Sequence, residues 1–448
     1  MEHRTRRRIS RGLAVALAFV FCCSFAALPA GAETAGMGAT LTDEEGESVT
    51  VSEAERTDDA EALAALAADA ALNTDGKLAA AFKRYQTLGA VVCVIENGRI
   101  SHTYCYGSLD RKGTPITADT LFRVGSISKM VTAMGILKLA EEGRVTLDGD
   151  LSDWLGFPVR NARYPATPLT LRQLMSHTTG LRDNGHYTLA LRGQAAPLAT
   201  LFGGSANKYL FVDGAEAGTV AQYTNFGGGI LGSVLESVTG QTVDAYLKET
   251  IFDPLGVTAA YQTALLPETA VVSDQYDMPS RVLSAKVRDG APAALVPDPQ
   301  ADYTLTAGKL TISAPGLAKI VIALCDGGIA DGVRVLRESS VAAMREPQNG
   351  IGSVSCQSGW GLCLNILPDT PTAGRTIYGH GGKSGGMLCA AYFDPNDRTG
   401  VVMLTNGCDN RPVRNGVGML SLAVIRLCYA GLIDGRHVTE DPWLVDGP

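Results

Sequence analysis

The sequence predicts an α/β fold in which one sheet is assembled from the two ends of the chain, with a helical insert over about residues 150–300. Three observations point there. Two strand-like runs joined at Asn97-Gly98 stand near the start, in GAVVCVIENGRISHTYCYG. Strand-like runs return after Ala301, in GWGLCLNIL, MLCAAYFD and GVVMLTN. Between them the patterns are helical and repeatedly broken by Gly and Pro.

Taken in order, residues 1–32 are expected to be a signal peptide. Arg4, Arg6, Arg7 and Arg8 make a basic start, an apolar run follows from about Leu13 to Leu28, and Ala30–Ala32 supplies an A-x-A site for cleavage after Ala32. An uncleaved anchor is the competing expectation, since the run approaches the ~18 residues of a spanning helix. Residues 33–75 are acidic and Ala-rich: a disordered tether in the first half, a helical pattern in the second. Order is predicted from near Lys77, and one domain over 76–435 precedes a tail over 436–448. GKLAAAFKRYQ has a helical pattern. The Asn-Gly pair marks a tight hairpin because both residues accept the left-handed backbone of a two-residue turn. Ser126 to Glu142 is rich in helix formers and apolar on more than one face, with Gly143 placed to end it, so a buried helix is expected. A last helix is predicted over roughly Val413 to Tyr429.

The 448 residues are 46% hydrophobic and 19% charged, enough apolar content for a sizeable core. The net charge of −8, with the Arg cluster confined to the predicted signal, excludes a basic surface for nucleic acid or anionic lipid. Ten cysteines include Cys22 and Cys23 of the predicted signal. Export permits disulfides; Cys356 and Cys363, or Cys389 and Cys408, are near enough to consider, and free buried thiols are equally consistent. The six histidines form no H-E-x-x-H, and no C-x-x-C is present, so no metal site is expected.

Four stretches carry chemistry. Ser126-Ile127-Ser128-Lys129 is an S-x-x-K; on a helix the two ends share a face, so the lysine reaches the hydroxyl and can activate it. A second S-x-x-K, Ser205 to Lys208, sits in a Gly-rich stretch and is read as a loop. Tyr223-Thr224-Asn225 is a Y-x-N whose phenol and carboxamide would face one pocket in an extended segment. YGHGGKSGG, from Tyr378 to Gly386, is not a phosphate loop, because Ile377 stands where the first Gly is required. Nor is Ser384 a nucleophile elbow, since strands rather than a helix follow it. It is read as a strand whose glycines let a ligand approach, with His380 beside them. His177 is expected to be a structural anchor at a helix end.

The order S-x-x-K, Y-x-N, H-x-G resembles the penicillin-recognising serine hydrolases related to class C β-lactamases, a group that includes DD-carboxypeptidases, D-aminopeptidases and esterases. The likeness runs from about Lys77 to Tyr429 through LFRVGSISKMVTAMGILKLAEEGRVTLDG, LTLRQLMSHTTGL, YTNFGGGILGSVLESVTG and YLKETIFDPLGV. It implies a β-lactamase/transpeptidase-like antiparallel sheet flanked by helices, with an inserted helical domain and the site between them. It implies Ser126 as the acylated nucleophile, Lys129 and Tyr223 as proton carriers, Asn225 on the substrate amide, and His380-Gly381-Gly382 as the third motif. The backbone N–H groups of Ser126 and Lys383 would form an oxyanion hole. It implies no cofactor. The expected activity is a secreted or extracytoplasmic hydrolase acting by an acyl-enzyme on a peptide, amide or ester containing a D-amino acid, with peptidoglycan fragments among its partners. A true β-lactamase and a non-catalytic binder of penicillin or wall fragments are the alternatives. His380, in place of the lysine of K-T-G, departs from true β-lactamases; an imidazole there is expected to be partly charged near neutral pH.

Overall fold

A computed structural model of the chain describes residues 40–42, 48–50, 73–348, 359–371, 373–411, 413–414 and 417–435. The expected signal peptide and the C-terminal tail lie outside these residues. The chain divides into two units, residues 1–72 and 73–448. In the first, Thr40–Thr42 pairs antiparallel with Ser48–Thr50, within the segment predicted to be a tether. The β-branched Thr and Val of these stretches favour strand.

The second unit opens with helix α1 (73–84). Strands β1 (Gly89–Glu96) and β2 (Arg99–Gly107) follow, joined where Asn97 and Gly98 both have positive φ, as the hairpin pattern requires. Helix α2 (Ile127–Glu141) is buried on all faces and ends at Gly143, whose φ is 70°. Short helices at Leu151–Leu155, Leu171–Met175, Gly185–Ala190 and Leu198–Gly203 lead to α3 (Asn225–Thr239). Past Phe252 the insert turns to short strands, Ala259–Ala260, Gln275–Asp277 and Val282–Ala285. Here Gly256, Pro267 and Pro279 break helices and β-branched residues accumulate. Helix α4 (Ala314–Cys325) then precedes β3 (Gly359–Trp360), β4 (Asn365–Leu367), β5 (Ile377–Ser384), β6 (Met387–Asp394) and β7 (Thr399–Gly407). The last helix, α5 (Met419–Cys428), is shorter than predicted: Val413–Arg414 pairs with Val417–Gly418 instead.

The sheet has seven strands in the order β3-β4-β5-β6-β7-β1-β2, every neighbour antiparallel. The period-two alternation of strands divides β1 between two cores. Val91, Cys93 and Ile95 face one with Ala391, Phe393, Val402 and Leu404. Ala90, Val92 and Val94 face the other with Ala390, Tyr392, Val401 and Met403. Helix α4 covers the first face. Helices α1 and α5 cover the second, through Leu78, Phe82, Leu420 and Val424. Fully burying such a side chain contributes about 1.5–3 kcal/mol, so both faces anchor the sheet. This layering carries α2 into the first face, with its N-terminus against β5.

Candidate active site

Ser126 is the residue immediately before α2, and Lys129 lies one turn into it, fully buried. The Lys129 Nζ is 3.1 Å from Ser126 Oγ, 2.8 Å from Asn225 Oδ1 and 2.6 Å from the carbonyl oxygen of Ala307. Burial of the ammonium pulls its pKa down to about 7, against an opposing pull from Asp183. The donor arithmetic is decisive. Asn225 Oδ1 and the Ala307 carbonyl can only accept, so they take two N–H bonds. In the neutral amine the remaining direction holds the lone pair, and it points at Ser126 Oγ. Helix α3 comes close enough to build this arrangement because Gly228 lacks a side chain: a Cβ there would sit 2.5 Å from Lys129 Cε.

Tyr223 and Asn225 arrive on the segment that enters α3. Thr224 is extended and Asn225 begins the helix, so the Y-x-N lies at a helix start. The Tyr223 phenol shares a hydrogen bond with the Ser126 side chain, and Lys129 Nζ stands 5.1 Å from its ring centre. Burial pushes its pKa well above the usual phenol value, so Tyr223 remains a protonated phenol at rest. Its ring lies 4.4 Å from His177 and 5.6 Å from Trp360, centre to centre. Asn225 is largely committed: Oδ1 accepts from Lys129 and Nδ2 donates to Asp183 Oδ2 at 2.8 Å. The donor left for a substrate is the second Nδ2 hydrogen.

β5 forms the opposite wall. β4 pairs with it at Ile377, Tyr378 and Gly379, so from His380 onward no strand among the described residues pairs with its outer edge. Leu388, opposite Lys383, directs its own N–H and C=O to Thr405 Oγ1, leaving the Lys383 N–H aimed at the open edge. That strand touches the chain leading into Ser126. A Cβ on Gly125 would lie 3.1 Å from the Lys383 nitrogen, and one on Gly382 would lie 2.0 Å from the Val124 carbonyl oxygen. Glycine at both positions lets the two backbones meet, so the Lys383 nitrogen lies next to the chain that leads into Ser126.

His380 differs from expectation. It is buried, with its ring centre 6.3 Å from Tyr223 and 5.4 Å from Trp360. Its Nδ1 is 2.6 Å from the Gly381 carbonyl oxygen, which can only accept, so Nδ1 carries the proton. Burial, reinforced by nearby Lys129, lowers its pKa to about 3. The imidazole is therefore neutral across the physiological range, and the expected partial charge is corrected: desolvation outweighs any stabilising partner.

Ser126, Tyr223, Asn225, His380, Gly381, Gly382 and Lys383 together line one cavity of about 480 Å³, with buried Lys129 beneath it. Its walls add residues that sequence reading missed: Gln222, Trp360, Asn365, Leu388, Val413 and Val417. Ser205 and Lys208 are exposed and elsewhere, and Ser384 is exposed at the end of β5. His177 is buried beneath Tyr223 with a φ of 58°, a packing neighbour of the site. The seven cysteines among the described residues are unpaired, including Cys363, Cys389 and Cys408; Cys356 lies outside them. No group of three or more His, Cys, Asp or Glu among the described residues is placed to hold a metal, and no described helix is long and apolar enough to cross a membrane.

Comparison with known proteins bears on the family and the fold. The Beta-lactamase family profile matches residues 63–420. Penicillin-binding protein 4 of Amycolatopsis lactamdurans is 31% identical over 334 residues, covering 71% of this chain and 81% of that protein. Esterase EstB of Burkholderia gladioli is 27% identical over 366 residues, covering 76% and 91%. The D-amino acid amidase of Ochrobactrum anthropi SV3 shares the fold, with a TM-score of 0.63 at 19% identity over 82% of this chain and 99% of that one. The extent of the profile match, with the identity to a relative covered over most of its length, establishes that this chain belongs to the Beta-lactamase family of serine hydrolases.

Proposed function

We propose that the protein is an exported hydrolase that cleaves peptide, amide or ester bonds through an acyl-enzyme on Ser126, with D-amino-acid compounds, peptidoglycan fragments among them, as its substrates. The observation that carries this reading is the buried Lys129 nitrogen, 3.1 Å from Ser126 Oγ with Asn225 Oδ1 and the Ala307 carbonyl as its other partners, so that in its neutral form the lone pair faces Ser126. Lys129 takes the Ser126 hydroxyl proton as Oγ attacks the substrate carbonyl carbon. The resulting oxyanion is held by the N–H groups of Ser126 and Lys383, each such donor typically contributing about 2.7–4 kcal/mol. Tyr223 gives its phenolic proton to the leaving nitrogen or oxygen as the C–N or C–O bond breaks, and is reprotonated from Lys129 through the hydrogen bonds around Ser126. Water then attacks the acyl-enzyme carbonyl, releasing the acid and restoring the hydroxyl.

The substrate class draws on the relatives, which are named as a penicillin-binding protein, an esterase and a D-amino acid amidase. Neutral His380 favours the amidase and esterase readings over a true β-lactamase, because no fixed cation stands at that position to hold an anionic group. The test is a fluorophosphonate label followed by peptide mass spectrometry, then a panel of p-nitrophenyl butyrate, D-alanyl-p-nitroanilide, D-Ala-D-Ala and nitrocefin. An adduct on Ser126 with turnover of the first compounds above nitrocefin supports the reading. An adduct elsewhere sinks it, nitrocefin dominance transfers it to a β-lactamase, and a stable penicillin adduct without turnover of any compound makes the protein a binder. Export is tested by sequencing the N-terminus of the mature protein, which should begin at Glu33; a retained Met1 would mean an anchor.

A further inference from the structure

Asp183 takes no part in the acyl-enzyme steps, yet it is tied to the site by four hydrogen bonds. Its Oδ1 accepts from Thr224 Oγ1 at 2.9 Å, from the Asn225 N–H at 2.7 Å and from the Phe226 N–H at 2.9 Å. Its Oδ2 accepts from Asn225 Nδ2 at 2.8 Å. We infer that Asp183 is a positioning residue for catalysis: by fixing which end of the Asn225 amide faces Lys129, it keeps the Lys129 lone pair on Ser126. The inference rests on the acyl-enzyme reading of the site.

The chain of constraint follows from donor and acceptor identities alone. A carboxylate only accepts, so the Asn225 group facing Asp183 must be the NH₂. The other end, Oδ1, is then turned to Lys129 and takes one of its N–H bonds. Ala307 takes the second. If the amide turned over, its NH₂ would face the Lys129 nitrogen and donate to the lone pair. The base would then be spent on Asn225 and Ser126 would keep its proton. Asp183 itself is solvent-exposed, which screens its charge. Its weight therefore lies in the direction it imposes on Asn225.

This yields an order of effects that a purely structural cap would not produce. In Asp183→Asn, one face of the new amide must still accept from three donors at the start of α3, which places its NH₂ toward Asn225. Asn225 must then offer its oxygen in return and turn its own NH₂ onto Lys129. In Asp183→Ala, Asn225 is released but not forced to turn. The near-isosteric change should thus be the more damaging of the two. Asp183→Glu, by contrast, keeps a carboxylate that can only accept, so the Asn225 NH₂ still faces position 183 and its oxygen still faces Lys129.

The experiment measures p-nitrophenyl butyrate hydrolysis and the rate of fluorophosphonate acylation in the full chain, with thermal midpoints beside them. Asp183→Asn is expected to lower kcat on the order of 100-fold, the lower end of what a positioned base contributes, with KM little changed. Asp183→Ala should lose less, and Asp183→Glu should keep more activity than Asp183→Asn. Activities that fall in step with the thermal midpoints, with Ala below Asn and Glu no better than Asn, would overturn the inference. A Ser126→Ala control separates the levels. Signal abolished by that control yet indifferent to position 183 removes this inference alone, whereas signal that survives it removes the acyl-enzyme reading as well.

Discussion

The chain carries the same four-residue spacing twice, and the two copies have different fates. Ser126 and Lys129 open a buried helix, and the lysine is held by a carboxamide oxygen and a backbone carbonyl. Ser205 lies in a surface turn and Lys208 in the short 3-10 turn Asn207–Tyr209 that follows, where the exposed Lys208 ammonium rests 4.8 Å from the Tyr209 ring centre. Lys208 lies exposed to water. Burial brings Lys129 down to about 7. The spacing supplies reach in both places; desolvation and two competing acceptors turn reach into a base in only one.

The largest contrast is in labelling. Ser126→Ala is expected to abolish fluorophosphonate labelling, whereas Ser205→Ala should label at the parental rate; intact mass reads both. Next, Lys129→Ala should slow acylation by about 10²–10⁴-fold while Lys208→Ala leaves it unchanged, as measured by stopped-flow or gel-based labelling. The pH profile sharpens the same contrast. Because the free amine is the active form, kcat/KM should rise with pH through about 7, and no limb should come from His380, whose imidazole stays neutral above about 3. An acid limb near 6 that vanishes in His380→Gln would reverse this assignment.

Smaller effects test the packing. In Gly228→Ala the new methyl meets the Lys129 side chain, so a loss of about 1–3 kcal/mol by thermal or urea unfolding is expected together with slower acylation. In the folded chain, burial depresses the pKa of His380 and also that of His177. Their unfolded forms take up protons once pH drops below about 6.5, so stability is lost on acidification. His380→Gln should make that loss shallower between pH 6.5 and 4 in thermal scans, with His177 accounting for a remainder. Ser205→Ala and Lys208→Ala should each stay within about 0.5 kcal/mol of the parent.

What was legible in the sequence was local. The Asn97-Gly98 hairpin, the buried α2 and the reach of Lys129 to Ser126 all depend on periodicity and backbone preference over a few residues. The order of the three motifs pointed to the family and, through it, to Tyr223 and His380. Tyr223 and Asn225 were expected to share an extended segment, and they converge instead because the chain turns into α3 at Asn225. The Ala307 carbonyl had no signature, since any residue carries one. Asp183 sits two residues beyond the recognised LTLRQLMSHTTGL stretch, and its partners lie about forty positions away. Trp360, one of three tryptophans, was seen only as part of a strand. The neutrality of His380 depends on how many groups surround it, a property of tertiary packing that no spacing encodes.

The position of β1 in the sheet bears on biosynthesis. Its inner neighbour is β7, with Ile95 opposite Gly400 and Val91 opposite Leu404. During translation at about 5–20 residues per second, those partners emerge roughly 300 residues later, some 15–60 s after β1 itself. The hairpin of β1 and β2 must wait through that interval without the strand that completes it. Such delayed closure slows folding, because distant pairing requires a long loop to close first. A nascent chain of this topology is an open substrate for holding chaperones until its final hundred residues appear, and truncation before β7 should leave apolar strands that aggregate rather than a smaller folded enzyme.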